Sequence, residues 1–339
     1  MKIYRNNGGF GSYLIIYRSL FFKTATPRKI FNAGILGLEY LFRSRVLKSR
    51  PIIAKFETTS LCNLSCPFCR HGAGAADESA IARRAMSSST FETILEEIHS
   101  YVFLMFMYHK GEPFLNRELT AMLRAAKEKN VATVVSSNLN IGMDDARAEE
   151  IVSSGLTYLL ASIDGATQEV YEKYRVGGDI SIVLGNLRKI QDAKMRLGSK
   201  TPHIGWQFIE FDHSRHEAQA AQNLAEQIGV DHFILTKNKE ESVQEGYTLG
   251  GRTDGGSAPW PFPFVCKWLW STALFLYDGQ MVPCCYYDWD NAPNFGNALN
   301  KGLEAIWNGD DYSLNREIVA SRVKACDRPD AYCSHCPQI

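Results

Sequence analysis

From residue 51 to residue 237 the sequence repeats one rhythm, an apolar run followed by an amphipathic one. Apolar, β-branched or aromatic runs occupy 51–59, 102–109, 132–138, 158–164, 203–211 and 231–237. Stretches with helical periodicity separate them, near 87–100, 116–129, 144–154, 179–196 and 214–228. Strands that alternate with helices imply a parallel sheet with helices outside, either an open sheet or an incomplete barrel. In such folds the chemistry gathers at the carboxyl ends of the strands.

After Lys237 the composition changes. Residues 238–263 are rich in Gly, Pro, Ser and Glu, as in a linker, and residues 264–339 hold six of the nine cysteines. Three units are therefore expected: a basic helical extension over 1–50, the α/β barrel over 51–245 and a small domain over 246–339. The first unit carries ten Lys or Arg and one acid, Glu39, so it is +9 in a chain whose formal net charge is zero. The overall neutrality argues against nucleic acid as a partner. The basic segment, with Phe, Leu, Ile and Tyr interleaved, has the composition of a helix packed beside the barrel, or of a peripheral membrane contact.

No apolar stretch is long enough to span a bilayer, and the run Tyr13–Tyr17 is broken by Arg18. With no export signal expected, the protein reads as cytoplasmic, with the membrane surface as its one other station. Cysteines in a chain of that kind read as metal ligands rather than disulfides. They fall into two groups, 62, 66, 69 and 266, 284, 285, 326, 333, 336.

The first group lies in TTSLCNLSCPFCRHG, directly after the first predicted strand. Its spacing is C-x3-C-x2-C. Three thiolates can hold three irons of a cubane and leave the fourth open to a small chelating ligand. The competing reading is a zinc loop completed by His71.

These residues resemble the signature of the radical S-adenosylmethionine (SAM) superfamily, and the likeness runs from residue 52 to residue 337. The resemblance implies a partial (β/α)6 TIM-like barrel, a 4Fe–4S cluster on Cys62, Cys66 and Cys69, and SAM on the open iron. It places Phe68 against the adenine. Gly111-Glu112-Pro113, in HKGEPFLN after the second strand, resembles the family's Gly-Gly-Glu-Pro motif, with Lys110 in place of the first glycine. There Glu112 is expected to accept a bond from the methionine ammonium. Ser136 and Asn138, in SSNLN, stand where relatives have Thr-Asn-Gly, and Leu139 replaces the glycine. Ser162 and Asp164, in ASIDG, would face the ribose or methionine, and Arg175 would meet a carboxylate. Tyr108, His109, Gln207 and Glu210 lie near strand ends as candidates for substrate contact or proton transfer.

The second group begins as C-x12-G-x4-C, from Cys266 through Gly279 to Cys284, and ends in Cys333-x2-Cys336. The segment STALFLYDGQMVPCC reads as a hairpin turning at Asp278-Gly279. The pattern resembles the SPASM and twitch extensions of radical SAM enzymes, closer to twitch because a full SPASM set has seven cysteines. The likeness implies one auxiliary 4Fe–4S cluster on Cys266, Cys284, Cys333 and Cys336, at the mouth of the barrel. Cys285 could replace Cys284, and Cys326 reads as a small buried hydrophobe. A zinc ribbon is the alternative.

The implied activity is reductive cleavage of SAM, fed by an external flavodoxin- or ferredoxin-type donor, and hydrogen-atom abstraction from a substrate. Oxidation, epimerisation or cross-linking would follow, with the auxiliary cluster as electron acceptor. Residues 1–50 look too short, and too poor in strands, for a peptide-recognition domain. A small-molecule, sugar or lipid-linked substrate is therefore favoured over a peptide. The alternatives are a peptide-modifying maturase and a non-catalytic iron–sulfur or zinc protein. Anaerobic reconstitution should give about eight irons per chain. Replacing Cys62, Cys66 and Cys69 by Ala should remove about half of them, and with them all SAM cleavage. Zinc in place of iron, with no brown absorbance, would refute the cluster.

Overall fold

The computed structural model describes residues 1–6, 10–67, 69, 85–237, 266–284, 293–321 and 331–336. Along the chain these form β1 (Lys2–Asn6), α1 (Phe10–Lys23), α2 (Pro27–Leu41), β2 (Ile53–Phe56), α3 (Ser88–Ile98), β3 (Leu104–Phe106), α4 (Leu119–Glu128) and β4 (Ala132–Ser137). Next come α5 (Asp145–Ser153), β5 (Tyr158–Ser162), α6 (Gln168–Tyr174), α7 (Ile180–Arg196), β6 (His203–Glu210), α8 (Ala218–Ile228) and β7 (His232–Lys237). The carboxyl-terminal part holds α9 (Trp268–Ser271), β8 (Thr272–Phe275), β9 (Met281–Val282), α10 (Ala298–Lys301), α11 (Leu303–Trp307) and α12 (Asp310–Ser321).

The six expected strands are present as β2 to β7, all parallel and adjacent in sequence order. Side chains alternate across a strand, so each strand feeds two layers. Met105, Val135, Leu159, Trp206, Phe208 and Phe233 join the helices of the outer layer, among them Phe91, Ile94 and Leu95 of α3. Leu104, Val134, Leu160 and Ile234 belong to a second, inner cluster. Near-continuous apolar runs were therefore the right signal for strands buried on both faces.

The inner cluster is completed by α1. Tyr17 and Leu20 are buried among Leu104, Ala132, Val134, Tyr158 and Leu160. The Tyr17 ring lies edge-on to Phe106 and Tyr158, with centroids 5.6 and 5.4 Å away. Ahead of this helix, β1 pairs in parallel with β7 from Lys2↔His232 to Asn6↔Thr236. The expected helical extension is thus corrected. Residues 1–6 supply a strand of the sheet, and α1 fills the lower part of the barrel. A strand pattern was not visible because KIYRN is polar and sits at an edge, where only one side of the strand needs a partner.

The C-terminal part is equally continuous with the sheet. The hairpin forms as read, β8 pairing antiparallel to β9 through Leu274↔Val282 and Phe275↔Met281. Its turn closes with Leu276 N donating to Gln280 O at 2.8 Å, and Gly279 takes a φ of +85°. β8 also runs parallel to β2, from Ile53↔Thr272 to Phe56↔Phe275, extending the sheet beyond the expected six strands.

Tyr17→Ala should destabilise the protein by about 3–5 kcal/mol, as expected for an emptied aromatic site in a core. Phe22→Ala, on the same helix but 80% exposed, should change stability by no more than about 0.5 kcal/mol. Urea titration of both variants checks this, and equal midpoints would refute the placement of α1.

Candidate active site

The candidate site is built at the carboxyl ends of β2, β3, β4 and β5. The loop after β2 carries Cys62, Cys66 and Cys69, and the loop after β3 locks onto it. Gly111 has a φ of +74°, and a Cβ there would strike the backbone of Thr59, Ser60 and Leu61. Glu112 N then donates to Leu61 O at 2.6 Å. Asn116, four residues on, donates its side-chain amide to Thr58 O and Met86 O at 2.8 and 3.0 Å. Lys110 in place of the family's first glycine leaves this seat intact, because Gly111 alone makes the close approach.

The Glu112 carboxylate is fully buried. Its Oε1 accepts from Ser137 Oγ at 2.7 Å and Phe114 N at 3.1 Å, and its Oε2 accepts from Asn138 N at 2.7 Å. No basic side chain bonds it among the described residues, and burial pushes its pKa up. A carboxylate offers about four acceptor positions, so one remains. Glu112 thus ties the β3 loop to the end of β4 and keeps one acceptor position.

The end of β4 needs an unusual backbone. Leu139 is buried with a φ of +54°, a conformation that costs a non-glycine residue roughly 1–2 kcal/mol. Its neighbours hold it there. Leu139 N donates to Ser137 Oγ at 2.8 Å, Asn140 N to Asn138 Oδ1 at 2.7 Å, and the Asn186 amide to Leu139 O at 2.9 Å. Leucine therefore takes the turn for which relatives use glycine.

Asn138 uses its side chain toward the cysteine loop, with its amide 3.2 Å from Asn63 Oδ1 and 3.9 Å from Cys62 Sγ. Ser136 and Ser162, on adjacent strands, face each other at 3.2 Å on the inner side. Arg175 does not stand free for a carboxylate ligand. Its Nε and Nη2 both reach Asp164 Oδ2 at 2.7 Å, and Ile209 N donates to Asp164 Oδ1 at 2.7 Å. The pair lies against Cys66, whose thiol is pushed up chiefly by burial and drawn down by the guanidinium. Burial, then the Glu112, Cys69 and Cys66 charges, push Cys62 up to about 11, against the pull of a backbone bond at Leu64.

Among the described residues, no three His, Cys, Asp or Glu side chains stand in a single-ion geometry. Three thiolates on one loop are the donor set that can hold three corners of a cubane. Phe68 and His71 lie outside the described residues. Tyr108, His109, Gln207 and Glu210 are all half-buried near the ends of β3 and β6, and Gln207 Nε2 reaches Thr236 Oγ1 at 3.5 Å. Two residues were missed. Ser137, not Ser136, binds Glu112. Lys55 projects inward from β2 with its ammonium 4.9 Å from the centre of the Tyr108 ring. A lysine inside an apolar strand was the available signal.

The second group of cysteines also converges. Burial and then the Cys284, Cys266 and Cys336 charges drive the Cys333 thiol far upward. Burial likewise raises Cys266, with Cys336 adding to it. Cys333 N donates to Asn315 Oδ1 of α12 at 2.7 Å. The Tyr312 hydroxyl, fully buried beside Cys284 and Cys333, has no hydrogen-bond partner among the described residues. An orphaned donor among thiols fits a cluster, whose sulfurs accept such bonds. Cys285 and Cys326 lie outside the described residues.

The placement of this group corrects the expectation that it caps the mouth. Cys266 precedes α9 and β8, and Cys284 follows β9, which runs antiparallel to β8. Both therefore stand toward the end where β2 and β8 begin. The loop of Cys62 leaves the other end, about 13 Å along at ~3.3 Å per residue for the four paired residues of β2 and β8.

Comparison with known proteins settles the family. Residues 56–207 match the family model of the radical SAM superfamily, and residues 266–337 match that of the SPASM iron–sulfur cluster-binding domain. The chain carries a radical SAM domain and a SPASM domain. Its cofactors are accordingly a 4Fe–4S cluster, SAM and auxiliary iron–sulfur chemistry in the SPASM domain. The SPASM match spans the six cysteines of this part of the chain.

The structure of Streptococcus suis SuiB bound to S-adenosylmethionine shares the fold over 87% of this chain and 73% of that one, with a TM-score of 0.64 at 16% identity. Fe-coproporphyrin III synthase of Methanosarcina barkeri is 24% identical over 152 residues, 44% of this chain and 37% of that protein. A probable GTP 3′,8-cyclase of Methanococcus maripaludis is 23% identical over 176 residues, 52% of this chain and 55% of that one. The matches thus span about a third to a half of the length of these curated relatives.

Gly111→Ala should displace the loop of Cys62 and cost about half of the bound iron, leaving the SPASM cysteines loaded. Glu112→Ala should strand the buried Ser137 hydroxyl and Asn138 N–H at about 1–3 kcal/mol each, lowering Tm as well as SAM affinity. Iron analysis and thermal melts check both. Full iron in the first variant would refute the Gly111 seat, and an unchanged melt in the second the Glu112 tie.

Proposed function

We propose that this radical SAM protein is an oxidoreductase-type enzyme. In this reading Cys62, Cys66 and Cys69 hold the SAM-binding cluster, and Cys266, Cys284, Cys333 and Cys336 hold one auxiliary 4Fe–4S cluster. The observation that carries it is the seating of the β3 loop on the cysteine loop through Gly111, which sets thiols, a buried carboxylate and inner-face hydroxyls around one strand end. When bound, SAM and its cluster supply a 5′-deoxyadenosyl radical, and the auxiliary cluster supplies an acceptor for a second electron.

The remaining work falls to the chain. The open position on Glu112 takes the methionine ammonium. Ser136 and Ser162 face the ribose. Arg175, fixed by Asp164, holds positive charge against Cys66. Oxidation of a substrate bound here would also require a base to take up its proton. Tyr108, His109 and Glu210 are the candidates for that base. An external flavodoxin- or ferredoxin-type donor supplies the first electron.

Because α1 fills the lower barrel, the substrate enters from the carboxyl ends of the strands. A small-molecule, sugar or lipid-linked substrate is the first reading. The second reading is a peptide, favoured by the likeness to SuiB, which is also described bound to its precursor peptide SuiA.

Cys333→Ala with Cys336→Ala should lose the auxiliary iron and still release 5′-deoxyadenosine from SAM under anaerobic reduction. Cys284→Ala should lose that iron, and Cys285→Ala should keep it. Loss of SAM cleavage in a folded double variant, or retention of all the iron, would overturn the division of labour.

A further inference from the structure

We propose that α2 docks on the surface of an anionic lipid bilayer, with the mouth of the barrel turned away from it. The helix is well made: Thr26 caps it by accepting from Lys29 N at 3.3 Å, and Pro27 opens its first turn. One face holds it to the protein. Lys29 Nζ donates to Asn130 O at 2.7 Å, and Asn32 exchanges bonds with the backbone of Arg50 at 2.9 and 2.8 Å. Just ahead of the helix, Thr24 Oγ1 donates to Phe103 O at 2.9 Å. Asn130, Arg50 and Phe103 all lie shortly before β4, β2 and β3, so α2 crosses the floor of the barrel.

The opposite face is apolar and uncovered. At 3.6 residues per turn, Ile30, Gly34, Leu38 and Leu41 fall on one stripe, with Phe31 and the capping Phe42 on its flank. Phe31 is 71% exposed, Leu41 67% and Phe42 80%. Six large apolar side chains, Ile30, Phe31, Leu38, Leu41, Phe42 and the nearby Val46, thus face solvent, with Phe22 exposed at the end of α1. A soluble surface helix carries its polar residues there.

Charge selects the occupant. Arg18, Lys23, Arg28, Arg43, Arg45 and Lys48 are exposed in the same segment. Its single acid, Glu39, is engaged inward, accepting from Lys48 N and from Ser49 N and Oγ at 2.6, 3.2 and 2.5 Å. Arg45 meets Glu317 at 3.1 Å. Arg28 and Arg43 also donate to Tyr101 Oη and Ala320 O, and an exposed apolar stripe in a segment with exposed Arg18, Lys23 and Lys48 is complementary to acyl chains beneath anionic headgroups. A second copy of the chain would oppose these cations to themselves. Docked this way, the carboxyl ends of the strands face water, so substrate reaches the site from the aqueous side.

The test uses the full, cluster-loaded chain and flotation with vesicles of phosphatidylcholine alone or mixed with phosphatidylglycerol. The protein should float only with the anionic vesicles and be released by salt. Each cation near such a surface contributes about fivefold, so Lys23→Glu with Lys48→Glu should weaken binding by at least about twenty-fivefold. Phe31→Glu with Leu38→Glu should abolish it, with Tm, iron content and SAM cleavage unchanged. Recovery in the soluble fraction with both vesicle types would overturn the proposal. So would flotation unaffected by either pair, or a dimer in sedimentation that Phe31→Glu with Leu38→Glu dissociates.

Discussion

Glycine at position 111 lets two loops share one space. With no side chain and a positive φ, its backbone rests directly on Thr59, Ser60 and Leu61, and Glu112 follows it into a wholly buried position. From there the carboxylate gathers Ser137 and Asn138 at the end of β4. The loop that bears Cys62, Cys66 and Cys69 is thus fixed by two neighbouring strands rather than by its own short length. Asp164 and Arg175 extend the same frame from β5 to Cys66. A site for a ligand as large as SAM needs such support, because four loops of modest stability must hold one geometry.

The two ends of the barrel are put to different uses. The carboxyl ends carry the polar rim, with Ser136, Ser162 and Lys55 on the inner face. The amino ends are closed by α1 and α2, which bring Tyr17 and Leu20 into the apolar interior. The SPASM domain shares the β2 edge through β8, and its cysteines stand nearer the floor than the mouth. Tyr312, with its unpartnered hydroxyl beside Cys284 and Cys333, lies where a cluster sulfur could accept its bond.

Much of this was legible in the chain. The six strand runs, the helices between them and the Asp278-Gly279 turn were read within a few residues, since period and turn chemistry are local properties. The cysteine spacing and the Gly111-Glu112-Pro113 motif were legible for the same reason. Neither motif nor spacing tells which of two adjacent serines faces the Glu112 carboxylate, and the fold gives that bond to Ser137. The pairing of Arg175 with Asp164, eleven positions away, is joined only by the fold and had no local mark.

By itself the sequence determined the likeness to the radical SAM superfamily, the alternation of strands and helices and the grouping of the cysteines, because each follows from residue type at fixed local spacing. Tertiary structure alone decided that KIYRN becomes an edge strand on β7, that α1 lies inside the barrel and not beside it, and that the auxiliary cysteines stand toward the strand starts. Those outcomes depend on contacts between residues hundreds of positions apart. A polar edge strand and a basic helix carry no local mark of the partner that will bury them, so only the assembled sheet chooses it.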